Sequence, residues 1–147
     1  MRILIFTLLL AFTAQVAASS SWQTYGVIFT GTQAKDLIHQ CSRITPEKVT
    51  AQWKPSSDQI AELEAKLPDF KRALKRPSAQ LSSFYRQYAG FIAGGRKIVY
   101  VNLFPKDIDP QWRTRAVGVC DGGESFWGVE FEVDTGKFVN AAFNGNA

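Results

Sequence analysis

The stretch YRQYAGFIAGGRKIVYVNLFP, residues 85–105, decides the fold. It places Gly94-Gly95 between two runs rich in aromatic and β-branched residues. Two glycines at such a point are typical of a two-residue hairpin turn, because that turn needs positive φ at both central positions. A helical alternative competes for residues 81–88, but the β-rich composition of residues 98–103 favours two strands. The stretch therefore predicts an antiparallel hairpin.

A helix is predicted before this hairpin. Ser56 and Gln59 have the spacing of a capping box, in which each side chain satisfies a free backbone N–H of the first helical turn. An apolar stripe at spacings of three and four follows, at Ile60, Leu63, Leu67, Phe70 and Leu74. Pro68 interrupts the stripe, and because proline lacks an N–H we expect the helix to kink or restart there.

After the hairpin, the segment VCDGGESFWGVE, residues 119–130, raises the question of a carboxylate site. If Gly122-Gly123 is a two-residue turn, Arg115 faces Glu130 and Arg113 faces Glu132 across a second hairpin. On this interpretation Asp121 and Glu124 flank a turn and do not form a catalytic or metal cluster.

Weaker patterns complete the predicted architecture. Residues 32–41 indicate a short helix beginning at Thr32, residues 49–53 a strand, and residues 133–138 a last turn, with a three-residue loop and a bulge. The N-terminal part of the processed chain contains at most a short strand. We expect an α+β domain in which a kinked helix packs on a curled antiparallel sheet of four or five strands.

This order of elements resembles the cystatin-like and PepSY-like helix-plus-meander folds. The segments WKPSSDQIAELEAKLP, YRQYAGFIAGGRKIVYVNLFP and VCDGGESFWGVEFEVDTGKFVN also resemble an uncharacterised family of small exported bacterial proteins. The resemblance implies a bacterial, periplasmic location. It implies no activity and no catalytic residues.

The first 18 residues have the pattern of a signal peptide. Arg2 precedes a short apolar run, and Val16 and Ala18 are the small residues of a cleavage site. Cleavage near Ala18 would leave residues 19–147 as a single exported domain, periplasmic or secreted. In an oxidising compartment the two cysteines, Cys41 and Cys120, are expected to form a disulfide, with two separate buried thiols as the alternative.

The sequence offers little recognisable chemistry. His39 is the single histidine of the chain and follows no catalytic spacing. One histidine and two cysteines that are expected to be oxidised cannot supply a zinc site, and no calcium-binding or phosphate-binding loop pattern matches. We therefore predict no catalytic residue, no metal and no cofactor, and leave enzymatic activity as an unfavoured alternative.

Several exposed or aromatic side chains are candidates for binding. The candidate partner contacts are Asp121, Glu124, Phe126 and Arg96, which are expected at hairpin tips. Tyr85, Tyr100 and Trp112 are candidates for a ligand pocket, with core packing as the alternative. Lys71, Arg72, Lys75 and Arg76 are either a solvated helix face or an electropositive patch for an anionic surface.

Three classes of function remain at this stage. The first is a non-enzymatic protein-interaction module of inhibitor, immunity or accessory type, with a periplasmic or envelope protein as partner. The second is a small-ligand-binding domain, and the third is a carboxylate-based hydrolase. Nucleic acid is not an expected partner, because the chain has an export signal and no known binding motif. The sequence does not indicate an oligomeric state.

Overall fold

The computed structural model describes residues 21–43 and 45–145. The predicted signal peptide and its cleavage site lie outside the described residues. In chain order the elements are β1 (Gly26–Phe29), α1 (Gly31–Leu37), β2 (Val49–Trp53), α2 (Ser57–Leu74), β3 (Phe84–Ala93), β4 (Arg96–Pro105), β5 (Trp127–Glu132) and β6 (Lys137–Phe143).

The six strands form one mixed sheet, which confirms the α+β class. Its order is β1-β3-β4-β5-β6, and β2 also pairs with β3. β2 is antiparallel to residues 90–93 of β3, whereas β1 is parallel to residues 86–89. The expectation of an antiparallel sheet of four or five strands is therefore wrong in the number of strands and in the direction of β1.

The predicted hairpin is confirmed. β3 and β4 pair from Phe84↔Pro105 to Ala93↔Arg96. The two strands are joined by Gly94, with φ 55°, and Gly95, with φ 76°. These two positive φ angles are what the two-residue turn requires.

Helix α2 begins as predicted and does not restart. The Ser56 hydroxyl accepts from the Gln59 N–H at 3.2 Å, and the Gln59 side chain accepts from the Ser56 N–H at 2.9 Å. The helix continues through Pro68 to Leu74 without a break. Helix α1, in contrast, begins at Gly31 and ends at Leu37, so it starts earlier and is shorter than predicted.

The second predicted hairpin is wrong. β5 pairs with β4 from Ile98↔Glu132 to Leu103↔Trp127, and its other edge pairs with β6. Both edges of β5 are therefore occupied, and residues 106–126 form a long connection that contains several turns and a short 3-10 helix at Gly123–Ser125. The last hairpin exists, but it joins Glu132 to Lys137 through four residues instead of three.

Alternate residues of the strands face two different cores. We call the side packed against α2 the helix face; its buried core is Trp22, Ile60, Leu63, Leu67, Phe84, Tyr88, Val99, Val101, Leu103, Trp127, Val129 and Phe131. We call the other side the disulfide face. It is covered by α1 and by residues 38–43, 45–48 and 106–126, and it carries Ala89, Phe91, Ile98, Tyr100 and Phe104.

The predicted disulfide between Cys41 and Cys120 is present and spans 79 residues of sequence. It joins the two loops that cover the disulfide face. Nearby, the Gln40 side-chain amide donates to the Val117 carbonyl at 3.2 Å, which also holds the two loops together. A disulfide is compatible with an oxidising, exported location.

Candidate functional site

The most unusual buried group on the disulfide face is the carboxylate of Glu130 in β5. Its side chain is 2% exposed. The Thr45 hydroxyl donates to Oε1, and the Asn140 amide donates to Oε2 at 3.2 Å. The Arg96 guanidinium lies 3.7 Å from Oε2, which is longer than a charge-assisted hydrogen bond.

Glu130 lines an open cavity of about 480 Å³, which we call the Glu130 cavity. The cavity lies between residues 45–48, the turn between β3 and β4, and strand β6. Its lining residues are Thr45, Glu47, Lys48, Gly94, Arg96, Glu130, Asn140, Ala141 and Ala142. The charged members are two carboxylates and two cations, so the charges of the lining balance.

The backbone around the cavity is held in an uncommon conformation at two places. Lys48 has φ 53° and Asn140 has φ 50°, in the left-handed region that non-glycine residues rarely adopt. At Asn140 the strand is bulged, since the pairing of β5 with β6 shifts between Gly128 and Glu130. The bulge brings the Asn140 amide to Glu130. Strained backbone of this kind is concentrated at functional sites.

A buried polar layer lies beside the cavity. Arg43 is 3% exposed, and its Nη2 donates to Asn102 Oδ1 at 2.7 Å. Its Nε and Nη1, and the hydroxyl of the fully buried Tyr100, have no hydrogen-bond partner among the described residues. Burial lowers the pKa of Arg43 and raises the pKa of Tyr100, and the Glu130 charge raises the latter further while Arg43 lowers it.

Arg43 and Tyr100 occupy space that a side chain at position 128 would fill, and this space is open because the residue there is Gly128. A methyl group at Gly128 would overlap the Tyr100 hydroxyl and would lie 2.7 Å from Arg43 Nη1. Gly128 pairs with Ala142, which lines the Glu130 cavity. The absence of a side chain at this position therefore allows a guanidinium and a phenol to lie against the strand next to the cavity.

The layer continues away from the cavity as a hydrogen-bonded network. Asn102 Nδ2 donates to Gln87 Oε1 at 3.2 Å and to the Val117 carbonyl at 2.8 Å. The Gln87 amide donates to the Trp112 and Arg115 carbonyls at 2.6 and 2.7 Å. These bonds fix the long connection of residues 106–126 on the sheet.

A second buried carboxylate, Glu64, lies on the helix face. Tyr88 donates to its Oε1 at 2.8 Å, and Arg86 Nε lies 3.1 Å from the same oxygen, as an ion pair without hydrogen-bond alignment. Burial raises the pKa of Glu64, while Arg86 and the hydroxyls of Tyr88 and Tyr25 lower it in part. The adjoining cavity is smaller, about 280 Å³. Because Glu64 is held by a tyrosine hydroxyl and an arginine of the neighbouring strand, we interpret this cluster as structural.

The four predicted partner contacts do not form one surface. Phe126 is 8% exposed and packs in a cluster with Phe104, Trp112 and Val117, so its prediction as an exposed hairpin tip is wrong. Arg96 starts β4, whereas Asp121 and Glu124 precede β5. Since β4 and β5 are antiparallel from Leu103↔Trp127 to Ile98↔Glu132, Arg96 lies at the opposite end of the pair from Glu124.

The three predicted pocket residues are also separated. Tyr85 and Trp112 stack with their ring centres 4.1 Å apart, and Trp112 is 6% exposed. Tyr100 is fully buried in a different cluster, with Phe29, Leu37 and Ile98. These aromatic side chains pack in the core and do not line a common cavity.

The arginine–glutamate pairs expected on the outer face are replaced by other contacts. Arg115 pairs with Asp109 at 2.8 Å, which lowers the pKa of that carboxyl. Arg113 donates to the Gln23 and Thr24 carbonyls at 3.1 and 2.9 Å. Glu132 accepts from the Thr135 hydroxyl.

Two of the four basic residues of the α2 end have carboxylate partners. Arg72 pairs with Asp69 at 3.0 Å, with both side chains strongly exposed. Arg76 lies 3.6 Å from Glu124 and 4.1 Å from the centre of the Phe143 ring. Lys71 and Lys75 belong to the same stretch, and the use of this set by an anionic surface stays a prediction.

Sequence patterns had indicated Arg96 as a contact and Glu130 as a surface partner of an arginine, but not the site that joins them. Thr45, Lys48 and Asn140 were missed. The alternation of VEFEV does place Glu130 on the face opposite Val129, but it gives no sign that residues 38–43 and 45–48 cover that face.

Among residues 21–43 and 45–145 no cluster of three or more His, Cys, Asp or Glu side chains is arranged to hold a metal ion. Within the same residues no helix is both long and apolar enough to cross a membrane.

No family model, curated protein or solved structure matches this chain.

Proposed function

We propose that this chain is an exported binding module that holds a small polar ligand in the Glu130 cavity. The observation that carries the proposal is a nearly inaccessible carboxylate, Glu130, in the wall of a cavity of about 480 Å³. Ligand pockets of proteins have this size and use convergent polar groups to orient the ligand; six of the nine residues that line this cavity are polar or charged. Burying a carboxylate is costly, and it is retained where it is paired or has a role.

The geometry supports ligand binding better than it supports the interaction module first expected from the sequence. That module required Asp121, Glu124, Phe126 and Arg96 at exposed tips, and these residues lie at two ends of the sheet or in its core. The Glu130 cavity, in contrast, brings side chains from three separate parts of the chain to one place.

A carboxylate-based hydrolase has less support from the same site. General acid–base chemistry needs two groups placed on either side of a reacting bond. Glu130 accepts hydrogen bonds from Thr45 and Asn140, and Glu47 is exposed. The lining residues therefore suit recognition more than proton transfer.

The proposal includes an oxidising compartment outside the cytoplasm, periplasmic if the chain is bacterial. The N-terminal signal-peptide pattern and the Cys41–Cys120 disulfide both support export. Because the disulfide joins the loop that carries Arg43 and Thr45 to residues 106–126, the same compartment would also hold one wall of the cavity in place.

Thermal-shift measurements on the oxidised protein test the proposal. The probes are four classes of small polar molecule: L-amino acids, dicarboxylates, diamines and monosaccharides. We expect at least one class to raise the melting temperature with increasing concentration, as a ligand of the native state must. The variant Ala142→Leu, which places a larger side chain in the lining, should lose that rise.

The matched control is Ile92→Leu, a partly buried position on β3 that does not line the cavity. It should keep the rise seen with the native chain. The proposal fails if none of the four classes shifts the melting temperature, or if Ala142→Leu keeps the whole shift while remaining folded by circular dichroism.

A further inference from the structure

Resting on the proposed function, we propose further that the ligand is a zwitterion that carries one ammonium and one carboxylate group, the class of free α-amino acids. The Glu130 carboxylate receives the ammonium, and Arg96 together with Lys48 receives the carboxylate. The inference follows from which hydrogen-bonding positions of the lining residues are unfilled and from the balance of their charges.

The first step concerns the acceptor positions of Glu130. An ionised carboxylate has about four lone-pair positions. Thr45 and Asn140 fill two of them, one on each oxygen. The Arg96 guanidinium, at 3.7 Å, is too far to fill a third by a hydrogen bond. Glu130 therefore has capacity for a charged donor such as an ammonium group.

The second step concerns the cations. The Arg96 side chain is 38% exposed and makes no close hydrogen bond to Glu130. Its planar guanidinium is suited to bidentate binding of a carboxylate. Lys48, which also lines the cavity, adds a second positive charge, and its left-handed backbone is tied to the hairpin turn by the Gly94 N–H donating to the Lys48 carbonyl at 3.1 Å.

The third step concerns net charge. The cavity lining holds Glu47 and Glu130 against Lys48 and Arg96. A dicarboxylate ligand would place a negative charge against the Glu130 carboxylate. A diamine ligand would place a positive charge against the Arg96 guanidinium. A ligand with one charge of each sign complements both groups without leaving either opposed.

Isothermal titration calorimetry with matched probes tests this assignment. Each standard L-amino acid is titrated into the oxidised full chain. The best binder is then compared with its two analogues, one without the ammonium group and one without the carboxylate. We expect each analogue to bind about 30-fold more weakly or worse, as when one partner of a buried charge pair, worth about 2 kcal/mol, is removed.

Variants assign the two ends of the ligand. Glu130→Gln should weaken the intact amino acid by about 30-fold or more, but should have little effect on the analogue that lacks the ammonium group. Arg96→Gln should show the opposite pattern. The controls Glu132→Gln and Lys97→Gln make the same charge changes at adjacent positions that do not line the cavity, and should bind like the native chain.

If Glu130→Gln unfolds, Arg96→Gln and the two analogues still decide the question. The assignment is overturned if removing either ligand charge leaves affinity unchanged. It is also overturned if a dicarboxylate, diamine or monosaccharide binds and the amino acids do not; in that case the proposed function stands and only the ligand class fails. If nothing binds in any class, both fail together.

Discussion

On the helix face the sheet packs against one amphipathic helix, and the contact consists of aliphatic and aromatic side chains apart from one cluster of Glu64, Arg86 and Tyr88. On the disulfide face it is covered by a short helix and two loops, and the centre of that face is polar: Gln87, Asn102, Arg43 and Glu130 are all buried there. The helix face therefore mainly stabilises the fold. The disulfide face buries polar groups beside a cavity at a cost in folding stability, which is typical of a binding site.

The difference between the faces also appears in their unsatisfied groups. Among the described residues, buried side-chain atoms without a hydrogen-bond partner occur mainly in the disulfide-face cover and the strand beneath it, on Gln40, Ser42, Arg43 and Tyr100. On the helix face such atoms are Nε1 of Trp22 and of Trp127 and Nε of Arg86, while the Tyr88 hydroxyl donates to Glu64. Since unsatisfied buried groups are costly, the three such atoms of Arg43 and Tyr100 beside the Glu130 cavity support a role in recognition.

The largest expected effect is removal of the disulfide. In the double variant Cys41→Ala/Cys120→Ala, the free energy of unfolding should fall by about 4–5 kcal/mol, because the bridge closes a loop of 79 residues. Urea unfolding measures the loss. Amide hydrogen exchange should show lost protection in residues 38–43 and 106–120 before it does in α2; equal loss on both faces would contradict the proposed division.

A smaller effect compares one residue from each face. Leu63→Ala, at a fully buried position of α2, should cost about 3 kcal/mol because it leaves a cavity in the apolar core. Arg43→Met should cost far less or be stabilising, because the guanidinium is desolvated and two of its nitrogens are unpartnered.

Chemical denaturation of the two variants tests this contrast. Arg43→Met loses the hydrogen bond to Asn102, which by itself should lower the free energy of unfolding by about 1 kcal/mol. If Arg43→Met destabilises the chain as much as Leu63→Ala, the polar layer is part of the stabilising core and the contrast between the faces fails.

The smallest expected effect is a pH dependence that originates on the helix face. Burial raises the pKa of Glu64 above its ordinary value of 4.5, so the folded state binds that proton more tightly than the unfolded state does. The contribution of Glu64 to stability must therefore fall as pH rises from 4.5 to its folded pKa, and is constant above that. Denaturation of native chain and Glu64→Gln at a series of pH values should show the native chain losing stability relative to the variant over that window.

A second carboxyl gives the opposite sign and serves as a control. Hydrogen bonds from Arg115 and from the Gln111 backbone lower the pKa of Asp109 below its ordinary value of 3.8, so its stabilisation is lost as pH falls below that value. The two windows do not overlap. A stability difference between native chain and Glu64→Gln that rises with pH above 4.5 would show that the Arg86 ion pair outweighs the burial of Glu64.

The helix face could be predicted from the sequence to a large extent. The Ser56–Gln59 capping box and the stripe Ile60, Leu63, Leu67 are local patterns, and each depends on groups within a few residues of one another. The Gly94-Gly95 turn is local in the same way. The Cys41–Cys120 bridge was accessible for a different reason, because two cysteines allow one pairing.

The Glu130 cavity could not be predicted, because most of its contacts are long-range. Thr45 reaches Glu130 across 85 positions, and Arg43 reaches Asn102 across 59. The pairing of β5 was wrongly predicted for a related reason: two arginines and two glutamates at matching spacings fit a hairpin, but β5 gains more by burying both its edges between β4 and β6.

The sequence by itself determined the α+β class, the beginning of the long helix, the central hairpin and the disulfide, because these depend on short-range backbone preferences or on a single possible pairing. The tertiary structure alone decided that β1 joins the sheet in parallel, that Phe126 is buried, and that Glu130, Arg96, Lys48 and Asn140 meet at one cavity. Those outcomes depend on which distant segments cover the disulfide face, and no local pattern of charge or hydrophobicity encodes that choice.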